Sequence, residues 1–401
     1  MYPTSPEKIV LGLGGTVDYE IKLDSSVVNG LIAEYAIRPE EISNDTPINS
    51  ERNLVLNLLA FLKSGTGGER FVTDSRFIEE FSARFSKEIT LGGTCVRAAM
   101  ALDKFGVSST LHLVSINDDT RRLLPRSAKY ICSDDQDSFD PHLIVQFSQG
   151  LHIREFDIEF VTPYPNRIIF TNDPPNRDLK ISRDLGAILS KASIFLISGF
   201  NCIQDEEILR SRITSIKLHM KELPNGAIVF FEDAGYHVPK LSKIVRDELI
   251  DFIDIYSLNE EELQSYLGRN LDLLNVDEMK IAFNEIHAMI PAKALVIHTK
   301  YWALVIGENS NRYLDALQGG ILMASTRYLF GEELSQEKYA EVSSLSRNAK
   351  GVAFAKDITE ATSGLTKCVA AFQLNTDKPF TIGLGDSFVG GFIKILSDLS
   401  I

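Results

Sequence analysis

Two kinds of apolar pattern divide the chain. After about residue 185, near-continuous apolar runs at 194–198, 227–232, 253–257 and 294–298 are separated by segments of helical period. Unbroken runs of this length predict strands buried on both faces, hence a parallel sheet covered by helices. Residues 9–13 and 110–114 read as further buried strands. Ser50 is placed to cap a helix from 51 to about 63, closed by Gly65, and Gly92-Gly93 precedes a helix over 94–105 stopped by Gly106. Between about 134 and 183 the character changes. Residues 143–147 and 151–160 alternate apolar and polar, and 167–170 follows a Pro-Tyr-Pro-Asn turn. Alternation predicts antiparallel strands with one wet face, a small sheet laid over the larger one. Residues 66–90 are mixed and polar.

The 401 residues exceed what one core usually holds, so a large domain with a smaller one is expected. Hydrophobic content of 44% and charged content of 24% are those of a soluble globular protein. A net charge of −14 argues against nucleic acid or an anionic membrane as partner. A polyanionic substrate then needs a local basic pocket. The four cysteines, Cys95, Cys132, Cys202 and Cys368, form no CxxC and suggest neither a zinc site nor a disulfide framework, which fits a reducing compartment. The N-terminus has no signal-like apolar region and no apolar run spans a bilayer, so a cytoplasmic enzyme is expected.

The candidate chemistry centres on Thr381-Ile-Gly-Leu-Gly-Asp-Ser-Phe-Val-Gly-Gly391. An apolar run ends at Gly383, Gly385 offers a tight turn, and Asp386 opens a segment with apolar residues at 388, 392, 395, 396 and 399, a helical spacing. A glycine turn feeding a helix start aims several N–H groups at one spot, where an anion can sit. A carboxylate there either caps the helix or takes a proton from a hydroxyl that attacks phosphorus. In parallel sheets ligands bind at the carboxyl ends of strands, which singles out Asp18, Asn201, Glu232, Asn259, His298 and Asp386. Asn259-Glu-Glu-Glu262 reads either as a capping box or as a pair holding waters around Mg²⁺. Glu232 is a ligand or a loop anchor, and Asp18 a polyol acceptor or a turn residue. Lys300, beside His298, either meets a phosphate or is simply solvated. There is no Walker A motif, GxGxxG, HExxH or GxSxG.

NxxE (Asn259 to Glu262) and GxGD (Gly383 to Asp386), in the order expected of its motifs, resemble the ribokinase-like superfamily. Val17-Asp18, Gly92-Gly93, Asn166-Arg-Ile-Ile-Phe170, Ile197-Ser-Gly-Phe200 and His298-Thr-Lys-Tyr301, together with the length, are similar to its ADP-dependent branch of glucokinases and phosphofructokinases. The resemblance implies a large doubly wound α/β domain (1–16, 44–64, 91–133 and 183–401) with a smaller β-sheet lid (17–43, 65–90 and 134–182). It implies Asp386 as catalytic base, with Gly383 and Gly385 as the anion hole. It further implies Asp18, Gly92, Gly93, Glu69 and Arg167 toward the sugar, Asn259, His298, Lys300 and Gly385 toward the nucleotide, and Glu232 and Glu262 toward Mg²⁺. Two departures stand out. The family's HxE is here Phe230-Phe231-Glu232, without the histidine, and Thr94 replaces the Asn that usually follows Gly-Gly.

The expected activity is transfer of the β-phosphoryl group of MgADP to a sugar, leaving AMP. Arg154, Arg167, Arg177 and Lys180 are candidate cations for fructose 6-phosphate, the favoured acceptor, whereas Glu69 favours glucose. The alternatives are an ATP-dependent ribokinase-like kinase for a sugar or nucleoside, and a non-catalytic sugar- or nucleotide-binding relative. The sequence gives no oligomeric state.

Overall fold

The computed structural model describes residues 8–307, 309–362, 364–376 and 379–399. The N-terminal lead-in read from the sequence, before Lys8, lies outside the described residues. The unbroken apolar runs form the centre of a nine-stranded sheet, whose order is Thr366–Ala370, Trp302–Ile306, Ala294–His298, Ile255–Asn259, Ile228–Glu232, Ile194–Ile197, Ile9–Leu11, Ser109–Leu113 and Ala128–Cys132. From Ala294–His298 to Ala128–Cys132 every pairing is parallel. The other two strands, which the sequence pattern did not mark, add an antiparallel edge. Helices such as Glu206–Met220, Lys240–Leu249 and Val276–Met289 connect the parallel strands. The large doubly wound, mostly parallel α/β sheet expected from the pattern is therefore present, with a smaller sheet beside it.

The smaller sheet has the order Gly68–Phe71, Asn166–Thr171, His142–Phe147, Thr16–Lys22 and Lys87–Gly92. It is mixed, not antiparallel throughout: Asn166–Thr171 runs antiparallel to His142–Phe147, but Thr16–Lys22 runs parallel to it. Three of its strands, Thr16–Lys22, Gly68–Phe71 and Lys87–Gly92, arise where the sequence suggested a turn and a mixed, polar stretch. Asp18 sits inside Thr16–Lys22, opposite Thr90 and His142, and is no turn residue. The alternating stretch 151–160 is broken at Phe156, in left-handed conformation, into a separate hairpin of His152–Glu155 and Ile158–Val161. The helix Glu51–Ser64 is capped by Ser50 and closed by Gly65 as expected. The segment 44–64, expected in the large domain, also reaches the smaller sheet: Asn57 accepts a hydrogen bond from Arg70 of the strand Gly68–Phe71, and Ile48 bridges to Val72 just beyond that strand.

The C-terminal helix Leu384–Leu399 carries the candidate base and is wedged between two others. An added Cβ on Gly391 would meet the carbonyl of Gly319 and, at 2.6 Å, Met323 Cβ of the helix Leu314–Phe330. One on Gly390 would lie 2.8 Å from Ala101 Cβ of the helix Thr94–Asp103. Phe388, Phe392 and Leu396 are buried by this packing. Among the described residues no helix is long and apolar enough to cross a membrane.

Gly391→Ala is expected to lose about 1–3 kcal/mol by overpacking at this crossing. Gly30→Ala, in the exposed helix Ser25–Glu34 with nothing within 4 Å of the new methyl group, is expected to gain up to about 1 kcal/mol. Urea denaturation midpoints of the two variants check the opposite signs.

Candidate active site

The sharp backbone turn in the GxGD stretch falls at Gly383, whose φ is +69°, and not at Gly385, which lies in the first helical turn. The first intrahelical bond runs from Ser387 N–H to the Gly383 carbonyl at 3.0 Å. The N–H groups of Leu384, Gly385 and Asp386 therefore project from the helix end, where the dipole adds positive potential. A side chain at position 383 would have to adopt that left-handed backbone, and its Cβ would lie 2.8 Å from Arg97 Cδ.

Asp386 and Gly383 line a cleft of about 470 Å³ between the two sheets. Asp18, Glu69, Gly92, Gly93 and Arg167 line the same cleft, as do Thr94 and Arg177. Asp18 is 4% exposed, with Oδ1 accepting from Thr16 Oγ1 at 2.7 Å and Oδ2 from Arg97 Nη2 at 3.2 Å. Gly92 has to lack a side chain because a Cβ there would strike the Asp18 carboxylate and Thr16 Oγ1. Gly93, at φ +88°, turns the chain out of the strand Lys87–Gly92 and into the helix that carries Arg97.

Arg97 was not singled out from the sequence. It is 4% exposed, and besides Asp18 it faces Asp386 Oδ2 at 3.8 Å, Glu20 at 3.8 Å and Glu332 at 3.7 Å. Its signal was an arginine inside the apolar run Thr-Cys-Val-Arg-Ala-Ala-Met-Ala-Leu, since such a charge is buried only when paired.

The smaller sheet contributes two more histidine–carboxylate pairs that the sequence did not reveal. His142 Nε2 lies 2.9 Å from Asp173 Oδ2, and Asn176 ties Asp173 to the Gly15 carbonyl. Burial alone would depress the His142 pKa. The hydrogen bond to Asp173 and the charges of Asp173, Asp18 and Glu69 outweigh it and push the value up to about 9. Glu69 Oε1 sits 3.3 Å from His237 and 3.4 Å from Thr171 Oγ1. Burial works against its ionised form, but the His237 hydrogen bond and the positive potential of both histidines hold its pKa below the usual carboxylate range. Arg167 and Arg177 make no salt bridge among the described residues, whereas Arg154 lies on the separate hairpin facing Glu159 and Lys180 faces Asp134. Neither Arg154 nor Lys180 lines the cleft.

Asn201 lines the cleft as well, whereas Glu232, Asn259, Glu262 and His298 form a second group, at the carboxyl ends of Ile228–Glu232, Ile255–Asn259 and Ala294–His298, that does not line it. Asn259 and Glu262 make a full capping box: Asn259 N–H and Nδ2 donate to the Glu262 carboxylate at 2.6 and 2.8 Å, and Asn259 Oδ1 accepts from Glu262 N–H at 3.1 Å. Burial pushes the Glu262 pKa up to about 8, and the charges of Glu232 and Asp233 add to it. His298 is buried, stacked on Phe388 at 4.5 Å, with Nε2 bonded to Glu232 Oε1 at 3.0 Å. Glu232 thus meets a histidine although its own strand supplies none. Lys300 is exposed, with its ammonium 5.1 Å from the Tyr301 ring. Gly385 bears on this group, since a Cβ there would lie 3.5 Å from His298 Cε1.

Among the described residues no cluster of three or more His, Cys, Asp and Glu is arranged as a direct metal cage. The donors present fit a hydrated Mg²⁺ better, because Glu232 Oε2 is buried without a hydrogen-bond partner and faces a second carboxylate whose ionisation is suppressed. Glu232 and Glu262 are the residues that would hold such an ion through its waters.

The family model described as the ADP-specific phosphofructokinase/glucokinase conserved region matches residues 7–392. No curated protein matches the chain. Among solved structures, a hypothetical ADP-dependent phosphofructokinase from Pyrococcus horikoshii OT3 superposes with a TM-score of 0.81 at 19% identity, over 98% of this chain and 99% of its own. A phosphofructokinase from the same organism with AMP gives 0.81 at 18% identity, over 98% of both chains. An ADP-dependent kinase in complex with fructose 6-phosphate and ADPβS gives 0.71 at 12% identity, over 96% of this chain and 92% of its own. At these identities the structural likeness is one of fold.

The raised His142 pKa makes a stability prediction. Its folded value lies above the roughly 6.5 of an unfolded histidine, so its contribution is complete below about pH 6.5 and is lost as pH rises through about 9. The stability difference between the wild type and His142→Gln should therefore be largest at pH 6 and shrink by pH 9.5, as urea midpoints at the two pH values will show.

Proposed function

The chain belongs to the ADP-specific phosphofructokinase/glucokinase family, and on that premise we propose that it transfers the β-phosphoryl group of ADP to fructose 6-phosphate, releasing AMP. The observation that carries the acceptor is the pair Arg167 and Arg177, cleft-lining cations that make no salt bridge among the described residues, in the same cleft as Asp386. Glu69, the residue that favoured glucose, is held by His237 and Thr171. A sugar phosphate brings two negative charges to the cleft, and uncommitted guanidinium groups are the side chains best matched to them.

The chemistry follows from the positions of the groups. Asp18 and the Gly92-Gly93 backbone orient the sugar. Asp386 accepts the proton of the attacking hydroxyl as the new O–P bond forms. The bond between the β-phosphorus and the oxygen bridging to the α-phosphate breaks, and the electron pair leaves on AMP. The N–H groups of Leu384, Gly385 and Asp386 stabilise charge on the moving phosphoryl group. Mg²⁺, when bound near Glu232 and Glu262, would neutralise the diphosphate. Closure of the smaller sheet over the cleft would exclude water as a competing acceptor.

Chromatography of AMP, ADP and ATP after incubation with Mg²⁺, a sugar panel and either nucleotide tests this. The expected result is AMP from ADP with fructose 6-phosphate alone. AMP with glucose instead would overturn the acceptor, and ADP formed from ATP would overturn the donor. No turnover, with nucleotide still shifting the melting temperature, would leave a binding protein. Asp386→Asn should lower kcat by about 10²–10⁴ while ligand-induced thermal shifts persist.

A further inference from the structure

The buried guanidinium of Arg97 is not explained by the cleft's binding groups alone. It rises from the helix that follows Gly93 and reaches a carboxylate of the smaller sheet, Asp18, and one of the C-terminal helix, Asp386. Glu20 and Glu332 complete the charged groups around it. Among the described residues only Asp18 accepts a hydrogen bond from it, at 3.2 Å, and Nη1 has no hydrogen-bond partner although nearly all of the side chain is buried. A purely structural buried arginine spends its donors on hydrogen bonds, because each unmade one costs about 1–3 kcal/mol. Catalytic contacts, by contrast, are often long in the unliganded state and shorten with substrate bound.

The surroundings fix where the guanidinium can go. Arg327 Nε donates to the Ile382 carbonyl at 2.7 Å, which pins the turn beside Arg97, and Arg327 Nη2 holds Glu332 at 2.7 Å. Glu332 in turn faces Arg97 Nη1 at 3.7 Å. The Arg97 stem packs against Gly383, so the guanidinium has Asp18 on one side and Asp386 on the other.

We propose that Arg97 is a positioning residue for the transfer, setting the acceptor-side carboxylate Asp18 and the base Asp386 relative to each other across the junction of the two sheets. The inference rests on the reading of Asp386 as base. Lysine in its place keeps the charge but offers no planar fork to span two carboxylates.

Two measurements test it. The first is independent of turnover: a double-mutant cycle of Arg97→Met with Asp386→Asn, read by urea midpoints. Asp386→Asn should destabilise the wild type, which loses a counter-charge, and stabilise or spare the Arg97→Met background, where Asp18, Glu20 and Asp386 have lost their shared cation. An equal shift in both backgrounds would overturn the proposal. The second is steady-state kinetics of Arg97→Lys, with Arg97→Gln as a second variant. The expected result is a fall of about 10² in kcat with KM for ADP within about threefold, the signature of misplacement and not of lost binding. A kcat within threefold of wild type in both variants would overturn the positioning role while AMP formation by the wild type kept the functional reading intact. A wild type that makes no AMP from ADP defeats the functional reading instead, and the stability cycle still decides whether Arg97 couples to Asp386.

Discussion

The site depends first on backbone contact at the C-terminal helix. Where Gly391 meets Gly319 and Gly390 meets Ala98 and Ala101, the helix has no side-chain layer between it and its neighbours. Interfaces of that kind leave little room for rotation or sliding, since close-packed interiors deform poorly. The direction of Asp386 is therefore set by the crossing and not by the loop before it. Phe388, two residues further along, carries the same constraint inward by stacking on His298, which bonds Glu232. The turn that can hold an anion and the strand-end carboxylates are thus attached to one rigid element.

Charge is arranged with equal economy. The chain has a net charge of −14, yet the cleft must admit anions. Most of the cleft's charges are neutralised locally: Arg97 among Asp18, Asp386, Glu20 and Glu332, His142 by Asp173, and His237 by Glu69. Such pairs orient groups without offering net positive potential. Arg167 and Arg177 are left to do that, and their position on the smaller sheet and just after it places attraction on the lid side of the cleft.

The fold class was legible because continuous apolar runs and alternating ones have different physical meanings, burial on two faces or on one. Gly383, Asp386, Asp18, Glu69, Gly92, Gly93 and Arg167 were also legible, and the structure brings them to one cleft. Asn259, Glu262, Glu232, His298 and Gly385 gather in a second group, and Lys300 lies outside both. The polar residues that escaped the sequence share one cause. Strand Thr16–Lys22 contains Asp18 and Glu20, which are buried or half-buried because partners from other elements satisfy them: Thr90 and Gln146 from neighbouring strands and Arg97 from a helix. A polar residue paired at long range looks like a loop residue in sequence. Arg97, His142 and His237 were hidden for the same reason, as each is defined by a carboxylate dozens of residues away.

The places where the chain crosses between the two sheets explain why the chemistry sits where it does. It leaves strand Ile9–Leu11 of the large sheet and enters Thr16–Lys22 of the small one through Gly14 and Gly15. It returns through Gly92-Gly93 into the helix of Arg97, and again after Asn166–Thr171 through Asn172, Asp173 and Asn176. Every one of these crossings lines the cleft. A reaction that moves a phosphoryl group between two ligands needs groups from both sides held in register. These crossings meet that need, because they are covalent points common to both sheets; a fourth, through residues 133–141, does not line the cleft. Any change in the angle between the sheets is felt first at these residues, and Arg97, one turn past a crossing and in contact with carboxylates from both sides, converts that angle into the relative position of Asp18 and Asp386.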